Sequence, residues 1–295
     1  SVMAEARRRM LESVDIEGGT IRLIDRSGAK ATEFQMQSVN AHIANLSGDG
    51  AASLDLRAGV DSSSDNVKLK GDFGPVEENQ PTRYRFTQVA LSDVPLGAIP
   101  TAGSILSGAL SFDGQMSTGG LRWDELVDQL QGGGSARVSS GGVRGQNLAA
   151  QVLRPLMGED TPPAKAAAVI AGTDTRFSQL DTQVALASGE FRFRDLRFES
   201  DGYAVDASGS LTWAGKMSLA GRLRVKPEIS SEIVAGFPAA SVLVADSGQL
   251  EIPFQVSGEW PNLKAQVSLE GVAAKELSRQ RFAALWWRQQ VFPNG

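Results

Sequence analysis

The 295-residue chain has no cysteine and a single histidine, His42. Without cysteine there are no disulfides, thiolate nucleophiles or thiolate-held metals; the redox compartment stays open, because a Cys-free chain suits either environment. One histidine leaves a zinc site or a His-based triad without its usual groups. Long apolar runs are missing too. The longest, 166–171 and 239–245, fall far short of the ~20 residues that span a bilayer. Residues 1–12 are charged and carry no apolar core of a signal peptide. An excess of basic charge is also absent: 29 Lys and Arg against 34 Asp and Glu give −5, which argues against nucleic acid as a partner. Opening abruptly on SVMAEARRRM, the chain reads as a piece of a longer protein.

What is present is the composition of a folded protein, with 41% hydrophobic and 21% charged residues, too apolar for disorder. The length suits one or two domains. Glycine is abundant, 32 of 295 residues, against a usual ~7%, and so many turns favour β-structure.

Period-two alternation runs along most of the chain. Ala52, Leu54, Leu56, Ala58 and Val60 alternate with Ser53, Asp55, Arg57, Gly59 and Asp61. Val205, Ala207, Gly209, Leu211 and Trp213 alternate with Asp206, Ser208, Ser210 and Thr212. Leu219, Leu223 and Val225 oppose Arg222, Arg224 and Lys226; Leu250, Ile252, Phe254 and Val256 oppose Glu251, Gln255 and Ser257; Ala265, Val267 and Leu269 oppose Lys264, Gln266 and Ser268. Side chains alternate across a strand, so each segment has one apolar and one wet face, the signature of antiparallel sheet.

One spacing recurs: two alternating apolar residues, two intervening positions, a glycine, then two more alternating apolar residues. It occurs around Gly19 (14–23), Gly189 (184–193) and Gly248 (243–252), and more weakly around Gly141 (136–145). Physically it describes a hairpin with a glycine in its turn. The offsets between copies are irregular, so the chain is not a fixed-period solenoid.

Helical spacing is confined to short stretches. Segment 123–130 has apolar residues three and four apart. Segment 147–157 has Asn147 as a cap and Pro155 as a stop or kink. Segment 227–235 starts on proline and ends at Gly236, and 272–290 is the longest candidate. Loops are expected at 61–65, 75–81, 118–120 and 158–163, the last as a mobile linker.

Little here resembles catalytic chemistry. Asp124–Glu125 and Glu77–Glu78 are carboxylates adjacent in sequence, which usually solvate a surface, whereas acid–base pairs converge from separate elements. His42 alternates with Val39, Ala41 and Ile43 on the wet side of a strand. Gly132–Gly133–Gly134 lacks the strand–loop–helix and the Lys-Ser/Thr of a phosphate cradle and reads as a helix C-cap with a flexible exit. Phe191 and Phe193 alternate with Arg192 and Arg194, so the aromatics are not on the basic face as a nucleic-acid platform requires.

A surplus of one-sided strands therefore meets a shortage of helices to cover them. Closed on one another, the apolar faces make a sandwich or barrel. Left open, they make a trough that something greasy must fill. At roughly 0.8 kcal/mol per methylene, on the order of thirty methylenes of a diacyl lipid amount to ~20 kcal/mol.

The order of segments resembles the C-terminal region of the AsmA family of bacterial envelope proteins. The resemblance is carried by VDIEGGTIRLID (14–25), ALSFDGQMSTGGLRWDELVDQLQGGGSARVSSGGVRGQNLAAQVL (109–153), TRFSQLDTQVALASGEFRFRDLRFESDGYAVDASGSLTW (175–213) and LEIPFQVSGEWPNLKAQVSL (250–269). Each motif is loose; their succession is the specific feature. Gly258-Glu259-Trp260-Pro261 departs from the Gly-Thr the family often has before its late proline, and the membrane helix usual at the family's N terminus is not in this sequence.

The resemblance implies a mainly β fold: a twisted, mostly antiparallel sheet curled into an elongated taco-like groove, with a few short helices and a C-terminal amphipathic helix. The resemblance also implies a relation to bridge-like lipid-transfer proteins. It implies a periplasmic place, anchored to the inner membrane, and a non-enzymatic role without cofactor or metal: phospholipid transport between inner and outer membrane, and support of outer-membrane assembly. Partners would be phospholipid acyl chains, a membrane and outer-membrane assembly proteins. The expected organisation is an N-terminal part of the groove (1–157), a linker (158–174), a C-terminal part (175–271) and a helix with tail (272–295). Phe191, Phe193, Leu211, Trp213, Leu250, Ile252, Phe254 and Val256 are the groove candidates. Arg279, Phe282, Trp286 and Trp287 are candidates for resting on a membrane or capping the groove. The rival is a closed β scaffold that assists outer-membrane-protein assembly without carrying lipid.

Overall fold

In the computed structural model, residues 12–25, 32–46, 50–74, 81–99, 105–157 and 161–268 are described. They form one sheet of thirteen strands in which every strand pairs with the next in sequence, always antiparallel. The strands are β1 (Ser13–Asp25), β2 (Thr32–Ala44), β3 (Ala52–Gly59), β4 (Val67–Phe73), β5 (Thr82–Pro95), β6 (Leu106–Gly120) and β7 (Gln131–Val143). They continue as β8 (Thr175–Ala187), β9 (Glu190–Glu199), β10 (Tyr203–Thr212), β11 (Lys216–Val225), β12 (Leu250–Glu259) and β13 (Lys264–Val267). The edges β1 and β13 do not pair with each other, so the sheet is not closed into a barrel.

The short helices lie between strands: α1 (Trp123–Asp128), α2 (Leu148–Met157), α3 (Ala164–Val169) and α4 (Pro227–Gly236), with 3-10 turns at Leu96–Ala98 and Pro238–Leu243. As the sequence predicts, Asn147 caps α2, its Oδ1 accepting the Ala150 N–H at 2.8 Å. Pro227 opens α4. Pro155 lies within α2, which runs on to Met157.

Two cores form on one face of the sheet. The larger joins Ala149, Val152, Leu153 and Met157 of α2, Ala166 of α3, and Ile229 and Ile233 of α4 to the strands from β7 to β12. The smaller gathers Val39, Ala58, Val60, Val67 and Val94. Ser230 stitches α4 to the sheet: its hydroxyl donates to the Val225 carbonyl (3.0 Å) and accepts the Leu250 N–H (2.9 Å). Asn147 Nδ2 donates to the carbonyls of Ile170, Ala171 and Gly172 and fixes the exit of α3.

Several sequence expectations need correction. Within the expected linker 158–174, residues 164–169 form α3, whose Ala166 is fully buried and whose Lys165 Nζ sits 2.9 Å from Glu232 of α4, so packing holds that helix in place. Segment 118–120 belongs to β6 and not to a loop. The Gly132–Gly134 run lies inside β7, near its start, and is not a helix cap. Of the four glycine motifs, only that at Gly189 is a two-residue hairpin between paired strands: Ser188 and Gly189 both have positive φ and Ala187 pairs with Glu190. Gly248 turns a loop between the 3-10 segment and β12. Gly19 and Gly141 sit inside the unbroken strands β1 and β7, beside bulges at Gly18 (φ 62°) and Ser140 (φ 48°). Helix 272–290, loop 75–80 and residues 158–160 lie outside the described residues.

The glycines within strands have a steric reason. A Cβ on Gly134 would lie 2.2 Å from the Asp113 carbonyl oxygen, and one on Gly114 would lie 2.3 Å from the Gly133 oxygen. At these two positions the neighbouring backbone stands too close for any side chain. Gly134→Val, which raises intrinsic strand propensity, should therefore destabilise the protein by about 2 kcal/mol or more; a thermal melt reads this as a lowered Tm, and an unchanged or raised Tm would contradict it.

Candidate functional site: the apolar face of the sheet

Residues directly opposite in an antiparallel ladder point to the same side, so the register can be followed across the whole sheet. Ile16 pairs with Ala41, then Leu56, Leu69, Val89, Gly114 and Gly134. The row continues through Val184, Phe193, Gly209, Leu219, Val256 and Ala265. A parallel row runs from Val14 through Ile43, Leu54, Gly71, Phe86, Met116, Gly132, Leu186, Phe191 and Leu211 to Met217. At about 4.8 Å per strand, twelve steps make a path of roughly 58 Å along the sheet.

Coverage of this face is graded. Over β12 it is closed: Leu250 and Ile252 are fully buried, and Phe254 and Val256 are nearly so, among the α2 and α4 side chains. Gln151 of α2 reaches β13, where its Oε1 accepts the Ala265 N–H at 2.7 Å, and Gln146 Nε2 donates to the Pro261 carbonyl at 2.7 Å. From β3 to β11 the face is half-buried at Leu56, Leu69, Phe86, Phe112, Met116, Phe193 and Leu219. On β1 it is bare, with Ile16 40% and Leu23 54% exposed.

The eight groove candidates thus separate. Phe191, Phe193 and Leu211 stand half-buried on the shared face. Trp213 is exposed in the turn after β10 and meets Phe191 edge-on, with ring centroids 4.5 Å apart. Leu250, Ile252, Phe254 and Val256 are on the same face but belong to the core beneath the helices. Arg279, Phe282, Trp286 and Trp287 lie outside the described residues. Sequence reading missed Phe86, Leu91 and Phe112. In β5 the alternation is broken twice, by slips between Phe86 and Val89 and between Leu91 and Val94, which hides the period.

The opposite face is polar: Asp15 is hydrogen-bonded to His42 (2.6 Å), and ion pairs join neighbouring strands at Asp55–Lys70 (2.9 Å), Asp72–Arg85 (2.8 Å) and Arg137–Asp181 (2.6 Å). These pairs are exposed, so each is worth at most about 1 kcal/mol; together they commit that face to water. His42 lies there, as its alternation predicts. Among the described residues the shifted carboxyls go one way only. Glu33, Asp174, Asp181, Glu190 and Glu232 are held below their ordinary values, foremost by hydrogen bonds from Arg22, the Gly145 N–H, Gln179, Ser210 and Lys165 respectively. A general acid needs the reverse shift. Glu125 is engaged at the start of α1, where its Oε2 accepts the Leu121 N–H at 2.8 Å, and Asp124 pairs with Arg122. Among the described residues no group of three or more His, Asp or Glu is placed to hold a metal.

Tyr203 marks the closed part of the face. Burial pushes its phenol from 10.0 to about 12, against the opposing effect of hydrogen bonds with Ser200 and Thr175. The folded state holds this proton more tightly than the unfolded chain, so the contribution is complete below pH 10 and is lost as pH rises toward 12. In a Tyr84→Phe background, phenolate absorbance should appear only near pH 12, with stability falling over that window; ionisation near pH 10 in the folded protein would contradict the burial.

Comparison of the chain with protein-family models, with curated proteins and with solved structures finds no match.

Proposed function

We propose that the protein is a non-enzymatic lipid-conduit module of the bacterial envelope, in which the half-covered apolar face carries phospholipid acyl chains. The observation that supports this most is the register of apolar and glycine positions that continues from β1 to β11, bare on β1 and only half-buried at Leu56, Leu69, Phe86, Phe112, Phe193 and Leu211. A soluble domain that exposes so long an apolar strip either binds something apolar or aggregates. The chemistry of the strip favours sliding over fixed binding. Pockets that fix one ligand place polar groups at set points. Here Thr182, on the same face, gives its hydroxyl proton to the Arg194 carbonyl at 3.0 Å and so offers no donor to a headgroup.

Two features support a trough rather than a flat sheet. The backbone crowding at Gly71, Gly114 and Gly134 is what strands bent toward the apolar side produce. The hydrogen bond that Gln146 donates to the Pro261 carbonyl and the one that Gln151 accepts from the Ala265 N–H bring the segment after β7 against β12 and β13. On a flat sheet those strands would lie nearly 30 Å away by strand spacing. The resemblance to AsmA-type envelope proteins supplies the biological setting of this reading: the periplasm, anchorage at the inner membrane, and traffic of phospholipid toward the outer membrane.

Protein purified from a Gram-negative envelope should carry phospholipid detectable by solvent extraction and native mass spectrometry. Phe112→Asp and Phe193→Asp, each placing a carboxylate on the strip, should lower the lipid recovered per protein by about tenfold or more, as 1.4 kcal/mol per tenfold and a carboxylate against hydrocarbon require. Ser135→Asp, on the polar face, should leave it unchanged. Lipid-free wild-type protein, or equal retention by all variants with unaltered circular dichroism, would overturn the proposal in favour of a scaffold.

A further inference from the structure

The two edges of the sheet are built differently. β13 is four residues long, and the Gln151 side chain of α2 takes up its Ala265 N–H. β1 is thirteen residues long, SVDIEGGTIRLID, and contains neither proline nor lysine, the residues that most often blunt an edge. Among the described residues no strand pairs with its outer side. Ile16, Leu23 and Ile24, three of the six large apolar side chains that are exposed among the described residues, are on this one strand.

The geometry points to the outer edge of β1 as an interface for the β1 edge of a second copy of this chain, the two strands pairing antiparallel about a two-fold axis between Gly18 and Gly19. The argument is self-complementarity, which such an axis demands. The bulge at Gly18 (φ 62°) shifts the alternation by one, so Val14 and Ile16 before it share a face with Ile21 and Leu23 after it. About that axis Val14 falls opposite Leu23 of the second copy, Ile16 opposite Ile21, and Asp15 opposite Arg22. Apolar meets apolar and acid meets base, each a favourable cross-strand pair. A shift of one residue sets Ile16 against Arg22 or Thr20. On the polar side Arg22 already binds Glu33 and Asp15 is hydrogen-bonded to His42, so pairing of the copies sets Glu33, Arg22 and Asp15 in a row of alternating charge across the interface. An axis perpendicular to the sheet keeps both apolar faces on the same side, and the apolar path doubles in length.

The chain's lack of cysteine makes the register testable. The 295-residue chain should run in light scattering at twice its 31.2 kDa mass at ~100 µM, well above a micromolar dissociation constant. Ile16→Lys should run at the single mass with unchanged circular dichroism. The double variant Ile16→Cys/Ile21→Cys sets the new thiols opposite each other across the axis, at the Cα spacing a disulfide needs. Mild oxidation should convert most of it to covalent dimer, while Val14→Cys/Ile21→Cys stays mostly uncrosslinked. Wild-type protein at the single mass at this concentration, or equal cross-linking of both double variants, would overturn the interface. Mass and cross-link do not depend on what the apolar face carries, so failure here is distinct from failure of the lipid reading.

Discussion

Side-chain parity across the sheet is the constraint on which everything else depends. A strand that slips by one residue turns its whole apolar set to the other face, and thirteen strands in one ladder offer many chances to slip. The slips occur, and each is absorbed where it arises. In β2 the apolar set changes from Phe34 and Met36 to Val39 and Ala41 at Ser38; in β5 it changes to Val94 at Asp93; in β9 it changes from Phe191 and Phe193 to Leu196 and Phe198 at Asp195. Ser38, Asp93 and Asp195 all have φ near +50°, a conformation that costs a non-glycine residue of order 1 kcal/mol or more. Side chains offset part of this: Asn40 accepts the Gly18 N–H and donates to the Ser38 carbonyl, and the Ser111 hydroxyl accepts the Asp93 N–H. The bulges keep one face apolar from β1 to β13.

From that follows the division of labour along the sheet. Where helices are available, between β7 and β12, the apolar face becomes an ordinary core with Leu223, Ile233 and Leu250 fully buried. Where they are not, the same face remains half-exposed. The polar face cannot compensate by packing, because it is committed to water by its cross-strand ion pairs. In our proposal the uncovered stretch is completed by hydrocarbon supplied from outside, at roughly 0.8 kcal/mol per methylene.

Much of this was legible in the sequence, and the rest was hidden for definable reasons. Strands such as β3 and β10, and the hairpin at Ser188–Gly189, alternate cleanly and can be read directly. The same glycine spacing, however, specifies a turn at Gly189 and a bulge at Gly19 and Gly141. Whether two flanking runs fold back on each other or run straight depends on which neighbours they pair with, and that is not local information. Gly132–Gly134 looks like a breaker until the backbones of β6 and β8 stand beside it. The alanine-rich α3 has no amphipathic signal strong enough to separate it from a linker, yet Ala166 packs in the core because its side chain is small. Of the groove candidates, Phe191, Phe193 and Leu211 alternate on β9 and β10 and stand half-buried. Leu250 to Val256 alternate just as well, and only the placement of α2 and α4 makes them core.

The central claim is that the uncovered apolar face holds acyl chains. It is tested most directly by placing a photoreactive phenylalanine analogue, one residue at a time, at Phe86, Phe112 and Phe193 on that face and at Ser135 and Gln183 on the opposite one, then irradiating in the envelope and weighing the purified protein. The account predicts phospholipid-mass adducts at the three apolar positions and none at the two polar ones. Adducts at neither set, or equally at both, would contradict it.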